Sequence, residues 1–287
     1  MMIIKNLKIL FFRITLERFP SVYRPSSKPY ISGDSFRKFA DFIFDETTSF
    51  NTQRVRYKDI IFLNPDLIDI YFQTHHKKID KKYYLITHNS DIKITEYINK
   101  YLDEKIIHWF ALNLDSNIPN TTLIPMGLEN LRRLRYGRKI WFNSKHNKKT
   151  KMILCSYNSF KNFDARKDIK NNLSDSKIID FVNFTNTKEY FINLKKYQFI
   201  ICPEGKSLDT SRIWEGLLLN VFPIFKKNSF TLRLQEIGIP GIYLEEWNDL
   251  DRFDDQGLIQ EYAKLQKANF PKLYEHNYWE KVFKKLN

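Results

Sequence analysis

Along the chain, apolar runs alternate with charged stretches of helical pattern. In the first half the alternation predicts strands over Asp59–Leu63, Tyr83–Thr87, Ile106–Leu112 and Thr121–Pro125, with helices over Asp34–Glu46, Pro65–Gln73 and Asp91–Tyr101. A polar, basic stretch without apolar periodicity follows, Asn143–Lys151 (NSKHNKKTK), and reads as a linker. The alternation then resumes. Strands are predicted over Met152–Tyr157, Ile178–Phe181, Phe199–Cys202, Phe222–Phe225 and Gly241–Leu244. Helices are predicted over Thr187–Lys196, Asp209–Leu219, Thr231–Ile237, Leu250–Ala268 and Pro271–Lys285. Strands alternating with helices imply βαβ units and mostly parallel sheets, so the expectation is two α/β domains, residues 1–147 and 148–287.

In open sheets of this kind, ligands bind beyond the carboxyl ends of the strands. That rule selects the loops His88–Asp91, Gly127–Asn130, Asn158–Arg166 and Pro203–Ser211. With two domains, such loops are expected to face one another across a cleft.

Composition narrows the chemistry. The 287 residues are 43% hydrophobic and 16% aromatic, enough for real cores. Lys+Arg exceeds Asp+Glu by 47 − 33 = 14. That balance favours anionic partners, whether nucleotide phosphates, nucleic acid or an acidic membrane surface; a Lys-rich solvated surface explains it equally well. The lysines are spread along the chain and no RNA-binding signature or zinc spacing is present, so nucleic acid is not the expected partner. Cys155 and Cys202 both sit in strand-like runs, which excludes a disulfide framework and fits a reducing compartment: the cytoplasm, or the host cytoplasm for a viral chain. The apolar N-terminus MMIIKNLKILFFRITLERF is interrupted by charges. It lacks the roughly 7–15 uninterrupted apolar residues of a secretory signal and the about 20 of a spanning helix. It reads as a first strand or an amphipathic segment, with peripheral membrane contact as a weaker option.

Residues 199–225, FIICPEGKSLDTSRIWEGLLLNVFPIF, concentrate candidate chemistry. A strand ends at Pro203, a polar loop containing Gly205 follows, and a helix begins near Asp209, Thr210 and Ser211, each a plausible N-cap. A helix N-terminus offers free N–H groups and the positive end of its dipole to a phosphate. Lys206 and Arg212 add charge, and Arg can grip two phosphate oxygens at once. Glu215 lies three residues after Arg212, on the same helix face. It could accept hydrogen bonds from ribose hydroxyls; on spacing alone the two could equally be an ordinary surface ion pair.

The string from Cys202 to Phe225 resembles the C-terminal donor-binding motif of exostosin-like glycosyltransferases: strand, C-P-x-G, short loop, D-T-x-R-x-W-E, apolar helix, P-I strand. Cys202, Pro203, Gly205, Asp209, Thr210, Arg212, Trp214, Glu215, Pro223 and Ile224 match it. YLITHNSD, IIHWFALN and TLIPMGLEN are more weakly similar to small viral and bacterial members. The resemblance implies a GT-B-like α/β fold of two Rossmann-like domains, with the last helix (about 271–287) packing back on the first. It further implies a nucleotide-sugar donor, usually a UDP-sugar such as UDP-xylose, transferred with inversion to a glycan hydroxyl. Arg212 would contact the diphosphate and Glu215 the ribose or donor sugar. Lys206–Ser207 departs from the family pattern and leaves the sugar open.

Inverting transfer needs a base for the acceptor hydroxyl and a stabiliser for the leaving diphosphate. No convincing Asp-x-Asp metal motif is present, so no metal or other cofactor is expected; Arg212, Lys206 and the helix dipole would take the metal's part. The base is expected from the first domain, with Asp34, Asp91 and His88 as candidates. Asp34 and Asp91 could equally be helix caps, and His88 a structural hydrogen-bonder. Arg166 and Asn158, after the strand holding Cys155, are further donor-site candidates; Arg166 could equally be a helix-start charge. The alternatives are a nucleotide- or sugar-binding protein without turnover and, less favoured, a basic nucleic-acid-binding protein.

Overall fold

The computed structural model describes residues 24–143, 148–156 and 163–286. The expected N-terminal strand or amphipathic segment lies outside them. The chain divides into two compact units, Met1–Arg138 with Leu273–Asn287, and Lys139–Lys272. The division precedes the polar stretch expected to hold it, because Trp141 and Phe142 already pack on Phe191 of the second unit, Trp141 as a stack with centroids 5.4 Å apart.

Each unit holds one five-stranded, wholly parallel sheet, so the α/β class is as expected. In the first, β1 (Phe42–Phe44), β2 (Ile60–Leu63), β3 (Tyr83–Thr87), β4 (Ile106–Ala111) and β5 (Thr121–Leu123) lie side by side in chain order. β2 and β3 are buried throughout, which is why they read as unbroken apolar runs.

The helix expected over Asp34–Glu46 is only α1 (Gly33–Arg37), and β1 replaces the rest. Phe-Ile-Phe suits a pleated surface, and pairing with Ile61–Leu63 satisfies its backbone. Asp45 then ends the strand by accepting the Thr47 and Thr48 amides. The helix expected over Asp91–Tyr101 is likewise a loop followed by a 3₁₀ turn, Glu96–Tyr101. Asn113 bonds the Ser90 and Ile92 carbonyls and Ile94 bridges Leu114, which holds that segment extended. The helix expected over Pro65–Gln73 is present as a 3₁₀ turn running into α2 (Ile68–Thr74).

The second sheet has the order β10-β9-β8-β6-β7. Its elements are β6 (Lys151–Cys155), α3 (Phe163–Leu173), β7 (Ile179–Phe181), α4 (Thr187–Leu194), β8 (Tyr197–Ile201), α5 (Ser211–Leu218), β9 (Phe222–Lys226), α6 (Ser229–Glu236) and β10 (Ile242–Leu244). α7 (Asp255–Lys267) follows. Its core centres on Phe191, Phe199, Trp214 and Phe225, all without accessible surface. Lys149 ties two helix ends together: its Nζ donates to the carbonyls of Lys195, after α4, and Leu219, after α5. Burial lowers its pKa to about 8.

The last helix, α8 (His276–Lys284), belongs to the first unit. Trp279 packs edge-on against Phe36, and Phe283 against Phe110. Among the described residues no helix is long and apolar enough to cross a membrane.

Candidate functional site

Strand order marks a place in the second unit. From β6 the chain goes to β7 on one side and returns to β8 on the other. This 2-1-3-4-5 order opens a crevice at the carboxyl ends of the two strands where the direction reverses. Those ends are Cys155–Ser156 and Ile201–Cys202, and the loop after Ile201 leads into α5.

The start of α5 differs from its neighbours. Asn186 caps α4 by accepting the Glu189 amide, Asn228 caps α6 through a reciprocal bond pair with Thr231, and Asp254 caps α7 by accepting from Gly257. Thr210, at the N-cap of α5, makes no side-chain cap bond. Its Oγ1 is buried with no hydrogen-bond partner among the described residues, and so is the Nε of Arg212 two residues further on. A buried donor left unmade costs about 1–3 kcal/mol, a cost that an acceptor-rich group at this helix start would relieve. The guanidinium stays charged. Burial alone would lower the Arg212 pKa, but the Tyr190, Cys202 and Glu215 groups around it raise it from its ordinary value. The Cys202 thiol is pushed up to about 12, chiefly by burial, and is no nucleophile at neutral pH.

The other donor-site candidates fall into different environments. Ser211 is the first residue of α5 and half-buried, and Lys206 is exposed in the loop. Gly205 has ordinary space around it: a Cβ there would meet nothing nearer than 3.7 Å. Asp209 has no accessible surface, and both its oxygens accept the Trp214 indole N–H, at 2.8 and 3.0 Å. It holds Trp214 under the loop. Glu215 is 3% exposed and accepts the Tyr190 hydroxyl at 3.0 Å. In this geometry it offers sugar hydroxyls almost no surface. Arg166 is buried on α3. Asn158 lies outside the described residues.

A cavity of about 300 Å³ adjoins the same loop, walled by Pro203, Ile213, Phe225, Phe230 and Trp247, with Glu204 and Asn228 at its polar side. Glu204 and Asn228 escaped the sequence reading. Glu204 occupies the variable position of C-P-x-G, and nothing in the spacing tied it to Asn228.

The first unit gathers a buried polar network at the carboxyl ends of its strands. Asp34 has no accessible surface. Arg24 donates to its Oδ1 at 2.6 Å and Asn89 at 3.3 Å, while Arg132 lies 3.3 Å from its Oδ2. Its own amide donates to Asn130 Oδ1, and Asn130 donates to Asn89. Arg24 also reaches Glu46 and Asp45, and Arg37 donates to Asp45 at 2.7 Å. Gly33 is needed here: a Cβ would overlap Asn89 and stand 2.5 Å from His88 Nδ1. His88 is buried, accepts the Asn89 amide at Nδ1 and bonds the Pro125 carbonyl through Nε2, so it is the neutral Nε2–H tautomer. Burial lowers its pKa to about 4. Asp91 is exposed. Thus Asp34 and His88 are brought together, both engaged, and Asp91 is the candidate that solvent reaches. Among the described residues no group of three His, Cys, Asp or Glu side chains is placed to hold a metal ion.

No family model matches the chain, and no curated protein matches it. Among solved structures it is similar to a UDP-GlcNAc 2-epimerase from Methanocaldococcus jannaschii, with 14% sequence identity, a TM-score of 0.36 and coverage of 79% of this chain and 76% of that one. A likeness that loose bears on neither the chemistry nor the role of any residue.

Proposed function

We propose that the second unit binds the diphosphate of a nucleotide sugar at the N-terminus of α5, and that the protein is an inverting, metal-independent glycosyltransferase acting on a glycan hydroxyl. One observation carries the binding step: the uncapped start of α5 holds two buried polar groups, Thr210 Oγ1 and Arg212 Nε, with no partner among the described residues, at the strand-order reversal of the sheet. Phosphate oxygens satisfy both, and the helix dipole and Arg212 stabilise the charge that grows on a departing diphosphate. The resemblance of Cys202–Phe225 to the exostosin donor motif supports the transfer step and the choice of a UDP-sugar. Arg212 grips the diphosphate; Lys206 adds charge from the loop.

For the base, Asp91 is the residue to test, because Asp34 and His88 are buried and engaged. That same engagement favours a second reading, a nucleotide-binding protein without turnover. The deciding experiment is calorimetric titration with UDP, GDP and UMP, followed by a UDP-sugar hydrolysis assay with and without chelator. Binding of a nucleoside diphosphate with release of free sugar, unaffected by chelator, supports the proposal. Binding without release selects the second reading, and no binding of any nucleotide sinks both.

A further inference from the structure

The first unit holds a cavity of its own, of about 590 Å³, well within the range of small-molecule pockets. It lies toward the amino ends of β1 and β2, since Ile60 opens β2 and Phe39 stands just before β1. The buried Asp34 network sits at the other ends of these strands. One wall is a face of α8, formed by His276, Glu280, Phe283 and Lys284. Half-buried Phe39 supplies apolar surface, with Ile60 and Phe283 packed beneath it. The rim is basic. Lys28, Lys38 and Lys284 face a single carboxylate, Glu280. Glu280 is shared: Lys284 reaches it at 3.1 Å and Lys28 at 3.9 Å. Lys38 is exposed and pairs with no carboxylate among the described residues. His276 is 5% exposed, and its Nδ1 has no hydrogen-bond partner among the described residues, the Glu280 carboxylate standing 3.7 Å away. Burial lowers its pKa, and the charges of Lys28 and Lys38 lower it further against the pull of Glu280, so the cavity wall is electropositive. Three ammonium groups at one rim match an anion with more than one charge, and an apolar floor matches a ligand that carries hydrocarbon behind that charge.

We infer that this cavity binds a phosphate monoester with an apolar body, its dianion among Lys28, Lys38 and Lys284 and its body against Phe39. The site is independent of the α5 phosphate reading and occupies the other unit.

The test is calorimetry on the full chain with hexyl phosphate, inorganic phosphate and hexanol, with the His276 ring signals followed by NMR. Hexyl phosphate is expected to bind at least tenfold tighter than inorganic phosphate, hexanol not at all, and the ester should shift the His276 signals. Lys38→Glu should weaken ester binding about tenfold at an unchanged melting temperature, because that side chain holds up no described part of the fold. Arg212→Lys should leave ester binding as it is. Binding that survives Lys38→Glu and falls with Arg212→Lys places the phosphate at α5 and overturns the inference. Inorganic phosphate binding as tightly as the ester removes the apolar floor from the site and overturns it too. Retention on phosphatidate-containing vesicles without binding of hexyl phosphate makes the lysines a membrane-facing patch, and binding of no probe leaves no site; either result sinks the cavity proposal and leaves the α5 reading untouched.

Discussion

At the carboxyl edge of the first sheet, the buried cations Arg24, Arg37 and Arg132 meet Asp34, Asp45 and Glu46 inside the same unit. At the carboxyl edge of the second, Thr210 Oγ1 and Arg212 Nε are buried without a hydrogen-bond partner among the described residues; Asp34 Oδ2 and Arg132 Nε at the first edge also lack one, but those two lie 3.3 Å apart as an ion pair. Strand order differs in the same sense. The first sheet runs in chain order among its described strands, whereas the second reverses direction between β6 and β8. A polar edge closed on itself stabilises a loop layer. On the proposed function, the open edge meets its ligand at the reversal, where neighbouring loops part. Buried arginines at the two edges therefore call for opposite readings.

The largest effect expected from this contrast is structural. Asp34→Ala leaves Arg24 and Arg132 facing each other across a buried gap, and breaking such a pair costs about 3–5 kcal/mol. Urea unfolding should show that loss, with nucleotide affinity unchanged. A variant as stable as the parent but without turnover would instead make Asp34 a working site carboxylate and dissolve the contrast.

Second in size is the acid response of His88. Its folded pKa of about 4 lies below the ordinary 6.5, so between the two the unfolded chain binds more protons. Stability is therefore full above about pH 6.5 and falls as pH drops toward 4, by up to about 3 kcal/mol in all. The measurement is unfolding free energy against pH for the parent and His88→Gln. The difference in slope between them isolates His88 from the other histidines with lowered values, such as His76 and His108. Equal slopes would mean that His88 is exposed to protons in the fold and available as a base.

How much of this was legible follows from where each signal resides. Strands announced themselves wherever burial on both faces made an unbroken apolar run, as in Ile60–Leu63 and the Phe-Ile-Ile end of β8. α5 was legible too, because its apolar stripe sits directly after a strand and a polar loop. Phe42–Phe44 was misread because three apolar residues after a short helix continue its periodicity; only pairing with Ile61–Leu63, distant in sequence, makes them a strand. At the candidate site, spacing brought Asp209, Arg212 and Glu215 together. That Asp209 bonds Trp214 and Glu215 bonds Tyr190 depends on which way each side chain turns once the helix is docked. Tyr190 is on another helix altogether, which no local pattern records.

Third comes Arg212→Lys, which sharpens the open side of the contrast. Lys keeps the charge and loses the planar fork that grips two oxygens. Nucleoside diphosphate binding is expected to weaken by about tenfold, and pyrophosphate equally, with the melting temperature unchanged or slightly raised as a buried unmet donor disappears. Calorimetry with both probes reads this directly. Weakening confined to UDP would place Arg212 against the nucleoside and away from the phosphates.

The smallest expected effect is at Gly205, and it separates a loop shaped by the fold from one shaped by its ligand. In the first unit Gly33 is demanded by the chain itself, since a Cβ would collide with Asn89. Gly205 meets no such demand, because its nearest neighbours stand at 3.7 Å or beyond. Gly205→Ala should therefore leave stability within about 0.5 kcal/mol of the parent. A methyl group on the loop before α5 would still crowd a phosphate lying against the backbone N–H groups, so binding of UDP and of pyrophosphate is expected to fall by a few-fold. Gly33→Ala supplies the opposite pattern, lost stability with nucleotide affinity intact in the fraction that folds. If Gly205→Ala leaves affinity untouched, the loop backbone does not approach the ligand, and the phosphates are held by Arg212 and the helix start alone.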